Sequence, residues 1–272
     1  MHAVGLPMIP GAVPRSAIIL LTGLLALCMP DAHAASSYYG YLQVGFTTPV
    51  TANGIEVPRH ALLGVGETGT PFSGYALAQR DAVIDAFAQG LGARRYFSVR
   101  HALNLGGGLV AMPGDVILDD GAGFSKVLDA RTAGVPDGAS VDAISLTGDG
   151  RLLLSFDIAV KLGGAVFDDA DMVVYEIGNF SLYWRATDFG FDEAADLNAL
   201  TRLGGGRFLM SFATGGKVSG TAYRAGDALL VDVRAGTVRK DFSANSLGAG
   251  ESAIDALSVT AASDLIFADG FQ

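Results

Sequence analysis

Short apolar blocks separated by glycine- and aspartate-rich breaks run along this chain from Tyr41 onward. The block Arg151-Leu152-Leu153-Leu154-Ser155-Phe156-Asp157 is apolar at consecutive rather than alternate positions. Such a run predicts a strand covered on both faces. Gly148-Asp149-Gly150, just before it, reads as a hairpin turn, where glycine supplies the positive φ the turn requires. Leu162-Gly163-Gly164 reads as a loop, Asp171-Met172-Val173-Val174-Tyr175 as a third strand, and Phe180-Ser181-Leu182-Tyr183-Trp184 as a fourth. The neighbouring segments repeat the order. Arg95-Tyr96-Phe97-Ser98-Val99 and Arg207-Phe208-Leu209-Met210-Ser211-Phe212 are further second strands. The glycine clusters at Gly106-Gly107-Gly108 and Gly204-Gly205-Gly206 read as turns.

One motif opens each unit. Val141-Asp142-Ala143 returns as Ile84-Asp85-Ala86, Leu197-Asn198-Ala199 and Ile254-Asp255-Ala256, at intervals of 57, 56 and 57 residues. A fixed period of this size marks a tandem array of supersecondary units. Four strands per unit, covered on both faces, predict an all-β, propeller-like array with four blades. The units run over 38–83, 84–140, 141–196 and 197–253, with closing strands in 254–272, within one domain over 35–272. Unit one lacks an opening Asp-Ala strand and the C-terminus carries an extra one, so the ends are expected to meet and close a ring. The stretch 265–267 is also strand-like and fits this closure less simply. An open β array is the rival architecture.

The third unit, with Val141-Asp142-Ala143, Asp149-Gly150-Arg151-Leu152-Leu153-Leu154 and Asp169-Ala170-Asp171-Met172-Val173-Val174-Tyr175, resembles a repeat of uncharacterised secreted bacterial proteins. The closing Ile266-Phe267-Ala268-Asp269-Gly270-Phe271 is similar to a short tail that ends many exported Gram-negative proteins. The Asp-Ala opening is also distantly similar to hemopexin-type four-bladed propellers, whose axial channel often holds ions. This chain departs from that family, with no cysteines to close the ring and no aromatic blade signature. The likeness therefore bears on architecture only.

Composition narrows the setting. Arg15, an apolar run over 17–29 and Ala32-His33-Ala34 have the order of a secretory signal peptide over 1–34, removed after Ala34. Translation from Met8 would shorten its polar head. Lipidation at Cys28 is the alternative, opposed by Leu27 where a small residue is needed. Cys28 is the single cysteine, so the mature chain holds no disulfide. Export to the medium, the periplasm or the cell surface is expected. The net charge of −10 argues against nucleic acid as a partner and permits cations. The run over 17–29 is too short to span a membrane.

Four sets of residues are candidates for chemistry. In a closed ring, Asp85, Asp142, Asn198 and Asp255 would converge on the axis as an oxygen site suited to Ca²⁺. The alternative is that each bonds nearby backbone amides at a strand start. Asp115, Asp171 and Asp227, spaced 56 and 56, suit turn entry. Tyr183 and Trp184, with Phe189 and Phe191, would bind a sugar or protein if exposed, and pack between blades if buried. No catalytic residue is identified: His60 and His101 are the only histidines after position 34, and no Gly-x-Ser-x-Gly elbow occurs. A non-enzymatic binding or surface-interaction protein is expected, its partner an extracellular protein or glycan, with a glycan or ester hydrolase on the same scaffold as the alternative. A purely structural surface component is a third class.

Overall fold

The structure, a computed structural model, describes residues 41–66 and 69–260. The expected signal segment 1–34, the stretch 265–267 and the tail 266–271 lie outside the described residues. Four antiparallel four-stranded sheets make a four-bladed β-propeller. Blade 2 is built from Ile84–Gln89, Arg95–Val99, Val116–Asp119 and Phe124–Leu128, from inside to outside. Blade 3 uses Val141–Leu146, Leu152–Phe156, Met172–Glu176 and Asn179–Trp184. Blade 4 uses Leu197–Gly204, Arg207–Phe212, Asp227–Asp232 and Thr237–Ser243. In blade 1 the C-terminal strand Ile254–Thr260 is innermost and pairs with Tyr41–Phe46, followed by Ala61–Gly66 and Pro71–Ala76. The first and last described strands are therefore zipped together inside one sheet. Pro71 opens an outer strand, where a missing N–H leaves no ladder bond unmade.

Between the second and third strand of every blade stands a two-stranded hairpin, such as Leu103–Gly106 with Leu109–Ala111 and Val160–Leu162 with Ala165–Phe167. The loops read at Gly106-Gly107-Gly108 and Gly163-Gly164 are the tips of two of these hairpins. Three-residue arms carry too little periodicity to be told from loop.

The consecutive apolar runs serve two cores at once. Leu152–Phe156 is buried throughout. Leu152, Leu154 and Phe156 pack with Ala86 and Val116 of blade 2, whereas Leu153 packs with Phe208 and Met210 of blade 4. Leu209, between those two, joins the core shared with blade 1. Successive side chains on a strand point to opposite faces, so a strand between two neighbours must be apolar at every position. Trp184 belongs to one of these interfaces. It is 4% exposed and packs on Phe189 and Phe191 at ring distances of 5.2 and 5.8 Å. It is therefore a packing residue and not a ligand platform, because its position on the last strand faces blade 4 rather than solvent. Tyr183, one residue earlier and on the other face, is 43% exposed.

Side-chain bonds stitch the inner strands together. Ser145 accepts the Arg202 N–H at 2.9 Å, Thr201 accepts Val259 N–H at 3.3 Å, and Ser258 accepts Gln89 N–H at 2.7 Å. These hydroxyls occupy one repeated position. At the junction of blades 2 and 3 that position is Ala88, which has no hydroxyl to offer. Asp115, Asp171 and Asp227 hold the turns before the third strands. Each accepts an N–H from three residues upstream, from Met112, Asp168 and Arg224 respectively. Each also meets a cation from the outer edge, Lys126 at 2.7 Å, Arg185 at 3.6 Å and Lys240 at 2.6 Å. Their role is structural. Among the described residues no helix is long and apolar enough to cross a membrane.

Candidate functional site: an acidic axial mouth

The Asp-Ala motifs mark a defect repeated in every blade. The register of inner strand against second strand slips between Ile84 and Ala86, Val141 and Ala143, Leu197 and Ala199, and where Phe46 and Gly45 face Ile254 and Ala256. The extra residue at each slip is Asp85, Asp142, Asn198 or Asp255. A β-bulge leaves its extra residue out of the ladder and re-aims its side chain. Here all four side chains are buried at one end of the inner strands, and these strands surround the axis.

Around this ring the backbone is nearly fourfold. The residue after each second strand donates to the residue before each inner strand: Thr47 to Ala253, Arg100 to Val83, Asp157 to Ser140 and Ala213 to Asp196, at 2.8–3.1 Å. A second set of bonds joins Ile84 N–H to Arg59 O, Val141 to Pro113, Leu197 to Asp169, and Ile254 to Ala225, at 3.0–3.1 Å. Only backbone atoms are needed for these bonds, so the side chains at these positions are free to differ. They differ in charge: Arg59 and Arg100 stand on the blade 1 and 2 side, and Asp157, Asp169 and Asp196 on the blade 3 and 4 side.

A cavity of about 320 Å³ opens here, lined by Asp85, Arg100, Asp142, Asp157, Asp196 and Asn198 among others. The four axial residues use their polar atoms in different ways. Asn198 Nδ2 donates to Ile254 O at 2.8 Å. Asp85 accepts Arg100 Nε at 2.7 Å and a second bond from the same guanidinium. Asp142 and Asp255, 2% and 0% exposed, have no donor on either carboxylate oxygen. Burial raises the Asp85 carboxyl, against the lowering effect of Arg100. Burial also pushes Asp142 well above the ordinary carboxylate range, and Asp196, Asp85 and Asp157 add to the shift by like-charge repulsion. Asp255 is likewise pushed well up by burial and by Asp85, with Arg100 and Arg59 opposing. Asp196 is raised to about 6, first by burial and then by Asp169. Asp142 and Asp196 line the same cavity, so like charge accumulates on its blade 3 and 4 side.

The sequence-predicted set thus reaches the axis, but as an uneven group and not as a cation cage. Arg100 supplies positive charge beside Asp85, and the Asn198 amide is turned to a backbone carbonyl. Among the described residues no three carboxylate, histidine or cysteine groups are placed to hold one metal ion. The backbone amides offered as alternative partners for the carboxylates do not reach Asp142 or Asp255 either. His60 lines a separate cavity of about 650 Å³ with Pro49, Leu77 and Arg80, away from the acids. His101 is exposed and does not line the mouth. Arg59, Arg100, Asp157, Asp169 and Asp196 were not apparent as site residues from the sequence. The available signal was variation: in the repeat columns they occupy, the other units carry residues of quite different chemistry.

No protein-family profile matches this chain, and no curated protein matches it. Solved structures match it at low similarity. A protein of unknown function from Bacteroides caccae has a TM-score of 0.36 at 10% identity, over 81% of this chain and 98% of that one. YCF48 bound to a D1 peptide has a TM-score of 0.34 at 10% identity, over 75% and 84%. A virginiamycin B lyase from Staphylococcus aureus has a TM-score of 0.34 at 10% identity, over 75% and 85%.

Proposed function

We propose that this protein is an exported, non-enzymatic binding protein whose axial mouth receives a positively charged group of an extracellular partner. The observation that carries this reading is the Asp142 carboxyl, buried, open to the cavity and without a donor. A buried acid without a partner costs stability. The scaffold does not demand it, because Asn198 at the equivalent position satisfies itself on a backbone carbonyl. Arg100 is bonded to Asp85, whereas Asp142 and Asp196 are left for a ligand, beside Asp157, which accepts the Ser140 N–H at 2.6 Å. An ammonium or guanidinium fits this arrangement better than Ca²⁺, which takes six to eight oxygens. The signal segment supports export. Tyr41 and Thr260 both lie at the end of blade 1 opposite the mouth.

The test is titration of n-butylammonium, n-butanol and Ca²⁺, followed by amide chemical shifts and melting temperature. Butylammonium is expected to shift the mouth residues and butanol to leave them unchanged. Asp142→Asn is expected to abolish the response. A stabilisation by Ca²⁺ that chelation reverses, with no response to butylammonium, would assign the mouth to a metal instead. The hydrolase alternative is favoured by one observation, that Asp142 and Asp196 line one mouth and are both held above the ordinary carboxylate range, since two carboxyl groups flanking the scissile bond perform glycoside hydrolysis. Turnover of a glycan or ester panel that disappears in Asp196→Asn would establish it.

A further inference from the structure

A second acidic space lies beside the mouth. A groove of about 680 Å³ lies between the blade 3 hairpin and the following short 3₁₀ turn, and is lined by Asp168, Asp169, Asp192, Glu193, Arg185 and Val166 among others. Asp169 lines the groove and stands next to the mouth, because its carbonyl accepts the N–H of Leu197, the residue after Asp196, at 3.1 Å. The same carbonyl accepts Ser155 Oγ–H at 2.9 Å. The carboxylate therefore stands on a rigid backbone beside the mouth.

We infer that mouth and groove form one acidic track that binds an extended peptide segment through two basic side chains, one in the mouth and one in the groove. This rests on the reading of the mouth as a cation site. Within the groove the charges do not balance. Arg185 is the one cation among the lining residues and is drawn to buried Asp171 at 3.6 Å. Asp168, Asp169, Asp192 and Glu193 remain, and the Asp192 carboxylate makes a local bond only to Ala194 N–H. The second feature is apolar. Val166 on the groove wall is 57% exposed, and Ile158, next to Asp157 at the mouth, is 46% exposed. Lysine and arginine carry aliphatic stems beneath their charges, so acids with neighbouring exposed aliphatics suit these side chains better than a bare cation. The fold gives no reason for acid at these places. The position of Asp169 is Arg59, Pro113 and Ala225 in the other blades, with the same backbone bond made each time. A mouth of about 320 Å³ is at the lower limit of ligand pockets and holds one side chain, and the groove holds the next.

The experiment compares four probes on the intact protein by calorimetry: a capped pentapeptide with two lysines, the same peptide with norleucine for one lysine, spermidine, and n-butylammonium. The two-lysine peptide is expected to bind at least tenfold more tightly than the one-lysine peptide, and more tightly than spermidine. The double variant Asp168→Asn with Glu193→Gln, both exposed positions, is expected to bring the two-lysine peptide down to the affinity of the one-lysine peptide. Equal affinity of the two peptides, or an advantage that survives the double variant, overturns the track. Spermidine binding as tightly as the two-lysine peptide overturns the peptide assignment. Butylammonium binding without a peptide advantage removes this inference and leaves the mouth reading standing. Failure of all four probes removes both.

Discussion

Asp196→Asn should make the protein more stable at neutral pH, and the size of the gain follows from the mouth. Burial and the neighbouring Asp169 raise Asp196 from the ordinary 3.8 to about 6. Between these two pH values the folded protein holds a proton that the unfolded chain has released. Stability therefore falls as pH rises through this window, and is level again above it. At about 1.36 kcal/mol per pH unit the loss is about 3 kcal/mol. An amide keeps the shape of the side chain and removes its charge. The variant should gain up to about 3 kcal/mol at pH 7–8 and little at pH 4. With about 2–4 °C per kcal/mol for a chain of this size, the melting temperature should rise by about 6–12 °C at neutral pH. Urea denaturation of wild type and variant at pH steps from 4 to 8 measures the difference curve. Groups such as Asp120, Asp129 and Asp149 are held below their ordinary values and act at lower pH. They also cancel in the difference. A difference that is flat across the window, or a variant less stable at pH 7, would refute the argument that charge is being held in the mouth at a cost. Stabilisation with loss of cation binding would be the signature of a site kept for function.

Three further outcomes are expected. Asp142→Asn should add about 1 kcal/mol, because the new amide stands where Asn198 does and can donate to Leu197 O as Asn198 donates to Ile254 O; chemical denaturation at pH 7 reads the gain, and a loss would show that the two bulges differ in geometry. Leu153→Ala should cost ~2–5 kcal/mol, because the side chain is fully buried between blades 3 and 4, and an unchanged denaturation midpoint would contradict that packing. Ala88→Ser should supply the missing stitch to blade 3 and add about 0.5–1.5 kcal/mol, with Ser145→Ala losing a similar amount; melting curves of the pair check both signs.

Much of the ring was legible in the sequence. Leu152 to Leu154 announce a strand with two apolar neighbours, and the Asp-Ala motif counts the blades. Propeller blades are self-similar, and each inner strand must be apolar on both faces, so the pattern survives in one dimension. The hairpins were not legible, because arms of three residues behind glycine tips leave no period to read. Trp184 was ambiguous for a similar reason: a lone aromatic on an outer strand is exposed or buried according to which face the next blade covers. The mouth was half visible. Its four axial residues share a sequence position because they share a bulge. What they do there depends on residues distant in the chain or absent from the repeat: Arg100 reaching Asp85, Asp196 lining the cavity beside Asp142, and Asn198 turning to a carbonyl of blade 1. Repetition along the chain encodes the backbone, which is the same in every blade. The chemistry lies in the departures from repetition, and charges from separate units act on one another only after the closed ring has brought them together where burial weakens solvent screening.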